Sequence, residues 1–197
     1  MKGKVIIIGG CPGTGKTSIS RKLSETLNAH HIDLSKFVID ENLFESIDPE
    51  RNSFIPNNNL LISKLLQKIN ESKTLLIIEG HYADIIPPQY VLKAFVLRLH
   101  PKKLETVLRQ RGWDDKKVYE NVMAELLDTC LINAIEQYGP EKVVEIDVTD
   151  KCIDDIVNEI LAILSNLNNG KRKHINWIET LEKEGILNEY LSKFSTT

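Results

Sequence analysis

The sequence predicts an α/β domain: a five-stranded parallel sheet with helices on both faces, followed by a helical C-terminal extension. Three observations predict it. Short runs rich in branched apolar residues, such as Val5-Ile6-Ile7-Ile8 and Leu75-Leu76-Ile77-Ile78, show no polar alternation, as expected of strands buried on both faces. Stretches with apolar residues at helical spacing separate these runs, which implies crossover connections and parallel pairing. The first run passes directly into Gly10-Cys11-Pro12-Gly13-Thr14-Gly15-Lys16-Thr17, and a helical stretch follows at once.

Strand, glycine loop and helix in that order form a phosphate-binding loop. Glycines let the backbone curl so that successive N–H groups point at phosphate oxygens, and the helix start adds its positive end. Gly13, Thr14, Gly15, Lys16, Thr17 and Ser18 are the expected phosphate contacts. Lys16 supplies a point charge to the β- and γ-phosphates, and the Thr17 hydroxyl can hold Mg²⁺. The fold expected is therefore that of P-loop NTPases, binding ATP with Mg²⁺.

The remaining elements follow in order. Ile19, Leu23 and Leu27 recur at helical spacing after the loop. His30-His31-Ile32-Asp33-Leu34 reads as a second strand, with a short helical piece over residues 35–41. Residues 42–59 lose all periodicity and contain Pro49, Pro56 and Asn57-Asn58-Asn59, so they read as a mobile insert whose asparagines suit a helix cap. Leu60, Leu61, Leu65, Leu66 and Ile69 mark the next helix. Residues 74–79 form a third apolar strand that ends on Glu79, and Pro87-Pro88 break the chain before a fourth strand over 91–99. Pro101 opens a helix at its favoured first position, and Gly112 stops it after Arg111. One long helix is expected over 114–137, closed by Gly139-Pro140. A fifth strand over 143–148 and a helix over 153–167 complete the domain.

Residues 166–174 are polar and include Lys171-Arg172-Lys173-His174, read as a solvated linker or, alternatively, a ribosomal RNA contact. Trp177, Ile178, Leu181, Ile186, Leu187, Tyr190, Leu191 and Phe194 then recur at helical spacing. That stripe reads as a tail packed back on the domain, with a partner-docking helix as the alternative.

Composition excludes several classes. With 197 residues, 42% of them hydrophobic, the chain suits one ordered α/β domain with an appendage. A net charge of −3 provides no global basic field for nucleic acid. Cys11, Cys130 and Cys152 lack metal-ligand spacing and are odd in number, which points to a reducing cytoplasm. The first apolar run is too short for a signal peptide or a membrane span. Cys11 reads as a small residue tolerated in a tight loop; a thiol activated by the positive field there is the alternative.

A triphosphate site needs an acid to organise Mg²⁺ and the attacking group. Glu79, at the carboxyl end of an apolar strand, stands where open α/β sheets place ligand chemistry. His81, two residues on, reads equally as a loop cap or a catalytic imidazole. Arg109 and Arg111 flank Gln110 before Gly112 and can neutralise phosphate charge if this segment closes as a lid. Arg98, in or beside a strand, reads by default as a surface ion pair. The Asn-Lys-x-Asp and Asp-x-x-Gly signatures of GTPases are absent.

At these residues the chain resembles the archaeal and eukaryotic nuclear-type adenylate kinases, small P-loop proteins that also act in small ribosomal subunit maturation. The marks are the phosphate loop, the acid-x-His pair Glu79 and His81 followed by Asp84 and Pro87, and Arg111-Gly112-Trp113-Asp114-Asp115-Lys116-Lys117 with Asn121 and Glu125 beyond it. The resemblance implies a kinase domain over 1–165, with a monophosphate-binding segment over about 33–56 and a lid over about 109–119, and an extension over 166–197. It implies that Glu79 and His81 take part in catalysis and that Arg111 contacts ATP; joined to the reading of the residues above, this makes Lys16, Glu79, His81 and Arg111 the expected catalytic set, Arg109 and Arg111 the expected ATP contacts beyond the loop, and Thr17 and Glu79 the expected Mg²⁺ ligands. Relatives often carry Asp where this chain has Glu79. The 33–56 segment holds one arginine, Arg51, where such kinases place an arginine clamp. The activity implied is ATP + AMP to 2 ADP with a side ATPase, in the cytoplasm, with a small-subunit ribosomal protein as a transient partner. The alternatives are an ATP-hydrolysing assembly switch with incidental kinase activity and a kinase for another small metabolite.

Overall fold

The computed structural model describes residues 4–48, 53–165 and 174–194. Five parallel strands form its central sheet: β1 (Val5–Gly10), β2 (His30–Asp33), β5 (Leu76–Glu79), β6 (Val91–Arg98) and β7 (Val143–Asp147), in the spatial order β2-β5-β1-β6-β7. Alternate residues of β1 feed opposite faces. Ile6 and Ile8 enter one core with Ile19, Leu23, Leu104, Val122 and Ile160. Val5 and Ile7 enter the other, with Leu61, Leu65, Ile69 and Tyr138. Burial on both sides is why β1 and β5 carry no polar alternation, whereas the edge strands β2 and β7 are only partly buried and hold polar residues.

Helix boundaries follow local chemistry. Helix α1 (Lys16–Leu27) ends at Asn28 in the left-handed region, φ 49°. Asp33 caps α2 (Leu34–Asp40) by accepting from the Lys36 N–H at 3.2 Å. Asn57 caps α3 (Asn58–Glu71) through the Leu60 N–H at 3.1 Å, the role expected of that asparagine run. Pro101 occupies the first turn of α4 (Pro101–Gln110), and Asp114 caps α5 (Asp115–Leu126) through the Lys117 N–H at 2.8 Å.

Three expectations need correction. Within 42–59 the chain is not patternless, because β3 (Phe44–Asp48) and β4 (Ser53–Pro56) pair as an antiparallel hairpin stacked through Phe44 and Phe54. The expected long helix over 114–137 is two helices, α5 and α6 (Thr129–Tyr138). Leu127 and Asp128 separate them, with Asp128 at φ 58°. Tertiary contacts override a continuous helical period here: the Asp128 carboxylate is bound to the guanidinium of buried Arg98. Arg98 itself is no surface residue. It is 1% exposed and also meets Glu125 at 2.8 Å and Glu145 at 2.7 Å.

Helix α7 (Ile153–Leu164) covers the β7 side of the sheet. The tail packs back on the domain as α8 (Trp177–Lys183) and α9 (Leu187–Phe194), separated at Gly185. Trp177, Leu181 and Tyr190 are buried in the first core, while Ile178 and Leu191 stay exposed. Trp177 donates its indole N–H to Glu125, and His174 contacts both Glu145 and Asp128. Lys171, Arg172 and Lys173 of the basic run, together with Arg51, lie outside the described residues. No helix among the described residues is long and apolar enough to cross a membrane.

Candidate active site

Register places the site. Ile8 of β1 and Asp33 of β2 both lie opposite Glu79 of β5, so the loop after β1, the acid ending β5 and the cap of α2 share one carboxyl edge. Open α/β sheets bind ligands at such an edge, where neighbouring strands leave in different directions.

At the end of β1 and in the loop after it, Gly10, Gly13 and Gly15 all have positive φ, and the first two are also closely packed. Gly10 has φ 129°, and a Cβ there would sit 2.5 Å from the Leu97 carbonyl oxygen. Gly13 has φ 98°, and a Cβ would meet Leu104 Cδ1 at 2.9 Å on α4. Inside the loop, Lys16 Nζ donates to the carbonyls of Gly10 and Cys11, both at 3.0 Å. Burial pushes the Lys16 amine below its usual range, which primes it for a counter-charge from an anionic ligand.

Glu79 is 3% exposed, and its Oε1 has no hydrogen-bond partner among the described residues. His31 Nε2 lies 3.3 Å away but off the line of a hydrogen bond. A buried carboxylate oxygen left unpaired beside a phosphate loop fits a hard cation such as Mg²⁺. His81 stands at the cavity wall with its ring edge-on to Tyr82, centroids 4.4 Å apart. Although its outer edge is open, crowding by protein strips hydration from the ring and the Lys16 charge repels a proton; together they hold it down to about 4. The imidazole is therefore neutral at neutral pH.

These groups converge on one cavity of about 520 Å³, within the ordinary size range of small-molecule sites. Gly13, Gly15, Lys16, Thr17 and Ser18 line its floor, Glu79 and His81 one wall, and Arg111 the side beyond α4. Trp113, Lys117, Glu120 and Asn121 complete that side, with Lys117 Nζ 4.5 Å from the centre of the Trp113 ring. A second cleft of about 270 Å³ adjoins it, lined by Lys36, Phe37, Asp40 and Lys68, and Asp33 lines both.

Residues 6–128 match the family described as AAA domain. A "Putative adenylate kinase" of Methanocaldococcus jannaschii is 34% identical over 174 residues, covering 88% of this chain and 93% of the relative. The protein of the same name from Pyrococcus furiosus is 31% identical over 179 residues, 91% of this chain and 94% of its own. The chain belongs to this adenylate kinase-like family of P-loop proteins. Among solved structures, a shikimate kinase from Bacteroides thetaiotaomicron superposes with a TM-score of 0.56 at 20% identity over 82% of this chain and 98% of its own. A gluconokinase from Sinorhizobium meliloti gives 0.53 at 16% over 85% and 95%. At such identities these two share the fold alone.

Not every residue singled out in this adenylate kinase-like chain reaches the cavity. Thr14 is buried, and its hydroxyl is used within the loop, donating to the Cys11 carbonyl at 2.9 Å. Arg109 is exposed on α4 and bound to Glu105 at 3.0 Å, Asp115 at 2.5 Å and the Tyr119 hydroxyl at 3.0 Å. Glu125 points away from the cavity into the Arg98 cluster. Burial would weaken the Arg98 charge, but Glu125 and Asp128 outweigh that and hold its guanidinium above the usual range. The thiol of Cys11 is pushed up rather than lowered, because its bond to Cys130 and its burial both favour the protonated form. Ser35 and Glu120 line the cavity and were not singled out; Ser35 follows a strand end by two residues, which is the only signal the sequence holds for it.

Proposed function

We propose that the protein transfers the γ-phosphoryl group of ATP to a nucleoside monophosphate, AMP first, giving two ADP, and hydrolyses ATP slowly when no acceptor is bound. The observation that carries this reading is the convergence of Lys16, Glu79, His81 and Arg111 on one cavity that shares Asp33 with a second cleft. Two anionic substrates can thus meet at the edge of the sheet. The family supports the reading, since relatives over nearly the whole chain carry the adenylate kinase name.

Each residue has a role that its position supports. Gly13, Gly15 and Ser18 cradle the phosphates through backbone N–H groups. Lys16 and Arg111 neutralise charge spread over the transferring group, from below and from the lid side. The Thr17 hydroxyl and the Glu79 carboxylate hold Mg²⁺, which when bound screens the phosphate oxygens and fixes their geometry. Neutral His81 orients the attacking oxygen or water through a hydrogen bond without adding charge. The Trp113 side closes the cavity and excludes water.

A second reading has its own supporting observation. The cleft that would take the monophosphate is lined by Lys36 and Lys68 and by no arginine among the described residues. A lysine is a point charge without the bidentate fork that clamps phosphate. Weak acceptor binding favours an ATP-hydrolysing switch that acts on a small-subunit ribosomal protein during ribosome maturation, with a ribosomal RNA contact near the basic run.

One set of assays decides between them. ADP formation from ATP with Mg²⁺ is measured alone, with each of AMP, CMP, GMP and UMP, and with a purified small-subunit ribosomal protein. A large stimulation by AMP supports the kinase; stimulation by the ribosomal protein alone supports the switch. No turnover under any condition overturns both.

A further inference from the structure

The phosphate loop carries a thiol that the proposed reaction does not use. Cys11 Sγ lies 3.7 Å from Cys130 Sγ, although 119 positions separate the two in sequence. Cys11 is 1% exposed, in the loop between Gly10 and Pro12, and Cys130 is partly exposed in the first turn of α6. The third cysteine, Cys152, is exposed and caps α7 elsewhere.

We propose that Cys11 and Cys130 form a peroxide-responsive thiol pair whose disulfide tethers the phosphate loop to α6 and weakens nucleotide binding. This goes beyond the proposed function and does not depend on which substrate accepts the phosphate.

The two thiols are unequal. Cys130 is the accessible one and sits at a helix start, where the backbone favours a thiolate. Its contact with Cys11 lowers its pKa, and the Lys16 charge acts in the same direction, against burial, Glu125 and Asp84. Cys11 is the buried partner. Cys130 thiolate attacks one oxygen of hydrogen peroxide, the O–O bond breaks, and hydroxide leaves to take up a proton as water. Cys130 is now a sulfenic acid. Cys11 sulfur then attacks Cys130 sulfur, the S–O bond breaks, and the Cys11 proton leaves with the hydroxyl as a second water. The thiol pair has lost two electrons and peroxide has gained them.

The disulfide changes the loop because α6 is fixed at both ends. Asp128 is bound to Arg98 just before its first turn, and the Tyr138 hydroxyl donates to the Ala83 carbonyl at 2.5 Å in its last. A disulfide needs its sulfurs about 2.05 Å apart. Closing 3.7 Å to that length ties the loop to this fixed helix and draws on the Cys11 backbone, whose carbonyl holds Lys16 Nζ and the Thr14 hydroxyl.

The test uses the full-length protein carrying Cys152→Ser, which removes the exposed thiol. The protein is treated with hydrogen peroxide, digested without reductant and mapped by mass, while affinity for a fluorescent ATP analogue is titrated on the same sample. The expected result is a linked Cys11–Cys130 peptide two hydrogens lighter than its parts. Affinity for the analogue should fall by about tenfold or more, since displacement of a phosphate-positioning loop by 1 Å is costly, and dithiothreitol should restore it. Cys130→Ser in the same background should bind the analogue normally and ignore peroxide. Separate peptides after treatment, or a linked peptide with unchanged affinity, would overturn the proposal. Should Cys130→Ser fail to fold, the mapping and titration of the parent protein decide alone. Absence of nucleotide binding before any treatment would instead count against the kinase and switch readings.

Discussion

Trp177 donates its indole N–H to Glu125 Oε1 at 2.8 Å, and that same oxygen accepts from Arg98 Nε at 2.8 Å and from the Leu99 backbone N–H at 3.2 Å. One carboxylate thus joins the tail, the end of β6 and the end of α5. Breaking a buried pair outright costs about 3–5 kcal/mol, and that is the upper bound here, because Arg98 keeps Asp128 and Glu145 when Glu125 is removed. Glu125→Ala should destabilise the protein by up to that amount, since Trp177 and the Leu99 N–H also lose their acceptor. Trp177→Phe keeps the aromatic bulk and loses one hydrogen bond to a charged group, so it should cost about 1.5–3 kcal/mol. Urea unfolding of both variants measures this; equal and negligible losses would mean that the tail is not tied through Glu125.

Lys16→Ala should abolish hydrolysis and transfer together while leaving the fold intact. Loss of one preorganised contact where charge develops costs on the order of 10²–10³ in rate. Steady-state ADP formation reads the effect, and turnover near the parent rate would move the nucleotide site elsewhere.

Glu79→Gln should retain ATP binding and lose most turnover, since the amide fills the same volume without the charge that holds Mg²⁺. The buried Oε1, without a hydrogen-bond partner among the described residues, makes this the acid to test. Titration with an ATP analogue alongside single-turnover kinetics separates binding from chemistry, and a variant with unchanged kinetics would leave Glu79 a strand-end residue only.

Arg111→Ala should impair turnover far more than Arg109→Ala. Arg111 lines the cavity, whereas Arg109 is spent on Glu105, Asp115 and Tyr119 at the surface. An exposed pair of that kind contributes only about 0–1 kcal/mol to stability, so Arg109→Ala should be nearly silent in both assays. Equal kinetic losses would point to a clamp made of two arginines.

His81 links stability to pH. It takes up a proton near 6.5 in the unfolded chain and only near 4 in the folded one. Between those values the unfolded state binds more protons, so acidification from 6.5 towards 4 draws the equilibrium towards unfolding. His81→Gln removes that contribution and should make Tm less sensitive to pH across the same window. Parallel Tm profiles for parent and variant would contradict it.

The inner strands β1 and β5 were legible in the sequence because burial on both faces leaves an unmistakable apolar run, and the glycine loop because its backbone needs specific residues at Gly10 and Gly13. What stayed hidden depended on partners distant in the chain. The break between α5 and α6 follows from Asp128 turning to Arg98, thirty positions away, while the local pattern at 114–137 is helical throughout. Arg98 looks like any strand-end cation until three acids from other segments are brought round it. The hairpin in 42–59 carries no strict alternation because Phe54 and Ile55 are both exposed. In the site, Glu79 and His81 were legible from one strand end, but the second cleft was not, since it forms only when α2 and α3 pack across β2.

The position of β1 has a consequence for how the chain comes together. β1 is the innermost strand of the sheet, yet Val5 can pair only with Leu76 and Val91, which lie far along the chain. During synthesis the central strand leaves the ribosome first and waits, apolar and unpaired, until both neighbours have followed. Parallel pairing at such separations is slow to form and exposes aggregation-prone edges meanwhile. Early association of β1 with α1 covers one face and neither edge, so refolding yield should depend steeply on protein concentration, and a binder of extended apolar segments would raise it.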